Sequence, residues 1–174
     1  HPCIIGSCRQ AAQSALDQAA AAGFHSLLLT NSLQGEARQA GRFLSAIARS
    51  IIENGAPLPR PACLAAGGET TVTVRHEGRG GRNTEFLLSL ALALEGAQRV
   101  SALAADTDGI DGSEDNAGAF ADGATAGRLR AAGHDPAALL SANDAWAAFD
   151  ALGDLFVTGP TGTNVNDFRA ILVR

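Results

Sequence analysis

The 174 residues carry 13 basic and 18 acidic side chains, a formal net charge of -5, and 46% of them are hydrophobic. That is enough apolar chain for one buried core, and the acidic balance excludes a protein devoted to nucleic acid, whose phosphates demand a basic surface. Cys3, Cys8 and Cys63 have no Cys-x-x-Cys spacing, which excludes a disulfide framework or zinc site, and no apolar run reaches the roughly 20 residues of a membrane helix.

Reduced thiols in a cytoplasmic protein are therefore expected. All 13 basic residues are Arg, and Met and Tyr are also absent. A chain that opens on His1-Pro2 is expected to be a piece of a longer protein.

Cys3-Ile4-Ile5-Gly6 reads as a short strand, followed by Ser7 as the N-cap of an Ala-rich helix that runs to about Ala22 and stops at Gly23. Residues 26–30 form the next strand. The following helix places Ala40, Phe43, Leu44, Ile47 and Ile51 on one face at the 3.6-residue period and ends at Asn54-Gly55, so residues 1–55 read β-α-β-α. The proline-dense stretch 56–61 is a rigid internal connector.

Residues 63–66 and 70–75 are strand-like, and the Gly67-Gly68 turn between them suggests an antiparallel pair, hence a mixed sheet. Residues 86–94 are apolar nearly all round, as in a helix packed at the centre of a layer. The apolar strand 100–105 is expected in mid-sheet with helices on both faces. Helices follow at 122–132, at 136–140 with Asp135 as cap and Pro136 at the first position, and at 144–152. Residues 155–157 and 168–173 close the sheet. The chain thus predicts one α/β domain over 1–174, a three-layer α/β/α sandwich on a mixed β-sheet.

Four polar, Gly-rich loops stand at the ends of these apolar runs, where an α/β sheet gathers its ligand-binding loops on one rim. Gly78-Arg79-Gly80-Gly81-Arg82-Asn83 precedes the apolar helix, so free N–H groups and two guanidinium groups point at one place, a combination suited to phosphate or carboxylate. Arg82, nearer the helix, is the expected chief contact, with Arg79 second. The plain alternative is a turn with two surface arginines. Asn83 stands where G-x-G-x-x-G needs its last Gly, so the loop is no dinucleotide fingerprint.

Asp106-Thr107-Asp108-Gly109-Ile110-Asp111-Gly112 sets three carboxylates after a buried strand; they can orient hydroxyls, serve as a general base, or bind Mg²⁺ through Asp108 or Asp111. Ordinary turn chemistry is the competing account. Thr158-Gly159-Pro160-Thr161-Gly162-Thr163-Asn164-Val165-Asn166-Asp167 looks like a cradle for an anion, but without Lys it is no Walker A loop. Gly67-Gly68-Glu69-Thr70 adds Glu69 as a site candidate, whereas Glu36 and the four histidines carry no proposed chemistry.

These four loops, in this order, resemble the carboxyl-terminal part of the bacterial glycerate 2-kinase family, whose terminal segment is known as the MOFRL domain. The likeness covers about 62–174, with Gly35-Glu36-Ala37-Arg38 a weaker upstream match. The resemblance implies the smaller half of a two-domain enzyme that phosphorylates D-glycerate at its 2-hydroxyl with ATP and Mg²⁺, the site lying against an amino-terminal partner domain. Within such a site the loops offer Arg82, Asp108 and Asp111 as the candidates for catalysis. Gly68, Glu69, Arg79, Gly80, Gly81, Asn83, Thr107, Thr161, Gly162, Thr163, Asn164 and Asn166 are assigned to substrate or phosphate. A homodimer is compatible with it. Two alternatives remain open: an NAD(P)H-dependent hydroxypyruvate reductase, and a module that binds a small acid without turnover.

Overall fold

The computed structural model describes residues 6–174, so the strand expected at 3–5 lies outside the described residues. Helix α1 (Cys8–Ala21) is capped by the Ser7 hydroxyl, which accepts from the Gln10 N–H at 3.2 Å. Strand β1 (His25–Leu33), helix α2 (Ala37–Asn54) and strand β2 (Ala62–Gly68) follow, and α2 ends at Gly55 in the left-handed conformation that glycine adopts without penalty. Next come α3 (Arg82–Ala93), β3 (Val100–Asp106), β4 (Gly118–Asp122), α4 (Thr125–Ala131), α5 (Pro136–Ser141), α6 (Ala145–Leu152), β5 (Leu155–Phe156) and β6 (Asp167–Val173).

The six strands form one mixed sheet in the order β1-β2-β6-β3-β4-β5, with β1 and β2 parallel and every other pairing antiparallel. Helix α1 covers one face, where Leu16 packs with Cys63 and Ala65 against Leu28, Phe168 and Leu172. The other face carries the main core, built by α2, α3, α4 and α6 over Leu64, Ala66, Ala102, Ala104, Ile171 and Val173. Helix α3 is buried on nearly every side, which explains its continuous Phe86-Leu87-Leu88 apolar run.

Four local expectations are corrected. Residues 70–75 do not form a strand: apart from one parallel bridge from Thr71 to Glu36 they run as an irregular arm, and Gly67 and Gly68 belong to β2 itself. Phe43 is 65% exposed, because the inward face of α2 is the one that carries Ala37, Ala40, Leu44, Ala48 and Ile51. Strand β3 is covered by helices on one face only; on the other, Ser101 is exposed and Leu103 half-buried. Finally, β4 was not expected at all.

Register brings the functional loops together. Gly68 and Asp106 both pair with Asp167, so the exits of β2 and β3 and the entry of β6 share one rim. The loop before α3 joins them there, because a side chain on Gly81 or Gly112 would run into the other loop's backbone.

Candidate active site at the sheet rim

The rim opens into a groove of about 790 Å³ lined in part by Gly35, Glu69, Thr70, Val72, Val74 and Arg82. Arg82 is the cation on its floor. Its Nε donates to both Asp167 oxygens at 2.9 and 2.8 Å, its Nη2 contacts Asp106, and its Nη1 lies 3.4 Å from Glu69. Burial works against the charge, yet the three carboxylates outweigh it and raise the Arg82 pKa further.

Beneath Arg82 the floor is ionic and buried. Asp167 is fully buried and also accepts from Asn83 Nδ2 at 3.0 Å and from Arg169 Nη2 at 2.8 Å. Arg169, 1% exposed, donates from the same nitrogen to Thr70 Oγ1 at 2.8 Å and places its guanidinium 5.1 Å from the centre of the Phe86 ring. Burial lowers the Arg169 pKa, opposed by Asp167. Asp106 is raised to about 6, first by burial and then by the neighbouring Asp167 charge, against the pull of Arg82 and a backbone N–H.

The N-terminus of α3 is not open to a ligand. Asp111, 1% exposed, occupies it: Oδ1 accepts from the Asn83 N–H at 2.9 Å, and Oδ2 from the Thr84 N–H at 2.8 Å and hydroxyl at 3.0 Å. The helix dipole and free N–H groups that composition assigns to a bound anion therefore hold the protein's own carboxylate. Asp111 is a capping residue by geometry rather than a group that can reach a substrate.

Glu69, Gly80, Gly81 and Arg82 line the groove, whereas Gly68 and Asn83 are buried below it. Arg79 turns away and stacks over Trp146 at 4.1 Å, while its backbone N–H donates to Asp144. Thr107, Asp108, Thr161, Gly162, Thr163, Asn164 and Asn166 make a separate ridge, which binds itself together. Thr161 Oγ1 donates to the Thr107 carbonyl at 2.6 Å, the Val165 N–H to Thr107 Oγ1 at 2.8 Å, and Asn164 Nδ2 to Asp108 at 3.0 Å.

Among the described residues no three His, Cys, Asp or Glu side chains could jointly hold a metal ion. Asp108 accepts from the Ile110 N–H and from Asn164, and Asp111 from the N-terminus of α3.

Sequence reasoning missed a second buried network. Glu85 pairs with Arg38 at 2.8 Å and accepts from Asn143 Nδ2 at 2.9 Å. Asn143, at a positive φ of 56°, accepts from the Arg75 N–H at 2.9 Å and donates to the Thr73 carbonyl at 3.3 Å, pinning the arm that carries Val72 and Val74 along the groove. The one available signal was a charged residue, Glu85, inside an otherwise apolar helix.

The model of the MOFRL family matches residues 62–167. The chain is 56% identical over 165 residues to an Agrobacterium vitis protein provisionally named a hydroxypyruvate reductase, covering 94% of this chain and 37% of that protein. It is 46% identical over 164 residues to the D-glycerate 2-kinase of Thermotoga maritima, covering 94% of this chain and 39% of the relative. The crystal structure of a Thermotoga maritima glycerate kinase superposes with a TM-score of 0.96 at 45% identity, over 98% of this chain and 41% of that one. The chain thus spans about two fifths of the length of these relatives. With its four rim loops, its mixed sheet and the matched residues 62–167, the chain belongs to the MOFRL family.

Proposed function

We propose that the chain is the carboxyl-terminal domain of a glycerate 2-kinase and forms one wall of the site that phosphorylates D-glycerate. The observation that carries this reading is Arg82, held in a fixed orientation by Asp167 and Asp106 while its Nη1 edge stays at the groove beside Glu69. The Thermotoga maritima relatives named as glycerate kinases support it.

The charge balance bears on which substrate meets this wall. Three carboxylates surround the Arg82 guanidinium, so a triphosphate finds a floor already crowded with negative charge. A small monoanion with hydroxyls suits it better: its carboxylate pairs with the Nη1 edge, and Glu69 accepts a hydrogen bond from a hydroxyl. ATP and Mg²⁺ are accordingly placed, in this proposal, on the opposite wall in the longer protein. Phosphoryl transfer rests mainly on positioning and charge, and this wall supplies the positioning of the acceptor.

The deciding experiment gives the full-length protein D-glycerate with ATP, and separately hydroxypyruvate with NADH or NADPH. Formation of 2-phosphoglycerate only with ATP supports the kinase. Oxidation of the reduced nucleotide would favour the activity in the name of the Agrobacterium vitis relative, and binding of the acid without either turnover would leave a module.

A further inference from the structure

Arg169 takes no part in the groove, yet it is the largest fully buried side chain of the described residues, and its burial has to be accounted for. One nitrogen does all its hydrogen bonding: Nη2 reaches Asp167 Oδ2 and Thr70 Oγ1, both at 2.8 Å, while Nε and Nη1 have no partner. An arginine kept only for stability is expected to satisfy more of its five donors. The two groups it joins come from different loops. Asp167, at the entry to β6, grips Arg82 Nε, and Thr70 follows Glu69, which faces Arg82 Nη1.

We propose that Arg169 is a positioning residue that acts through Asp167 and Thr70 to fix the direction in which Arg82 presents its guanidinium to the substrate. Without Arg169, the Asp167 carboxylate keeps Asn83 on Oδ1 and the Arg82 Nε across both oxygens, but Oδ2 loses its second partner and the carboxylate is held less tightly. Thr70 at the same time loses its link to β6, so Glu69 and Arg82 no longer share one frame. The inference rests on the reading of Arg82 as the substrate-facing cation.

The test is a double-mutant cycle in the full-length protein, with kcat/KM for D-glycerate and the melting temperature measured for each variant. Arg169→Met is expected to lower kcat/KM about tenfold or more, with Arg169→Lys recovering part of it, to a loss of about threefold. In an Arg82→Lys background, where the Nε donor held by Asp167 is gone, Arg169→Met should change kcat/KM by less than about twofold. A purely structural role moves the melting temperature and costs the same factor in both backgrounds, which would overturn the inference; so would wild-type kinetics in Arg169→Met. If Arg169→Met does not fold, Arg169→Lys runs the same cycle, with an expected loss of about threefold that disappears beside Arg82→Lys. An Arg82→Lys enzyme with unchanged kinetics would instead overturn the reading of Arg82 itself.

Discussion

Asp111 caps Thr84 from outside the helix, accepting both its N–H and its hydroxyl on a single oxygen while the other takes the Asn83 N–H. An internal carboxylate thereby occupies the end of α3 that faces the rim. The proposed anion contact is instead Arg82, a side chain that can present an edge to the groove.

Asp111→Ala is expected to destabilise the domain by about 2–4 kcal/mol, because it strips a cap and orphans several buried donors. Asp111→Asn should cost less, since one oxygen remains. Urea denaturation of the two variants against wild type checks the order.

Asp106 has a folded pKa of about 6, above the ordinary carboxylate value of the unfolded chain. The folded state then binds this proton more tightly than the unfolded state. Its contribution to stability is complete below the unfolded pKa and is lost as pH rises through about 6. Asp106→Asn is expected to flatten that part of the stability profile, read from urea midpoints measured at a series of pH values across the window.

Gly68 adopts φ +134° where β2 passes β1, and a methyl group there would run into the Leu33 backbone. Gly68→Ala should therefore be strained twice, in conformation and in space, at a cost of about 2 kcal/mol or more. Thermal unfolding measures it, with Gly23→Ala as a comparison that shares the positive φ but meets nothing.

Asn143→Ala frees the arm at 73–75 and removes a donor from Glu85. Limited proteolysis should then cut the arm about tenfold faster than in wild type, as expected of a segment that has lost its tertiary anchors.

Much of this fold was legible in the chain. Periodicity located α2, caps and glycine or proline signals marked α1 and α5, an all-round apolar stretch marked most of α3, and largely apolar runs marked β2, β3 and β6, while glycines marked the rim loops. The arm at 70–75 has strand composition, but Asn143 and Glu36 take up the Thr73 and Arg75 backbone groups that a neighbouring strand would have paired. Strand β4 is Gly-Ala-Phe-Ala-Asp, poor in β-branched residues, and exists because β3 and β5 pair with it. Glu69 and Arg82 were readable as site residues because glycines flank them. Asp106 and Asp167 were legible only as members of polar loops, and Arg169 and Glu85 not at all, because a charged residue in a sequence reads as surface until its partners, far along the chain, are brought to it.

The central claim is that Arg82 meets the hydroxy acid rather than the nucleotide. Steady-state kinetics of Arg82→Ala in the full-length protein test it directly, varying D-glycerate at saturating ATP and then ATP at saturating D-glycerate. The account predicts a KM for D-glycerate raised about tenfold or more, with the KM for ATP within about twofold of wild type. A KM for ATP that rises while that for D-glycerate stays put would contradict it, as would kinetics unchanged in both.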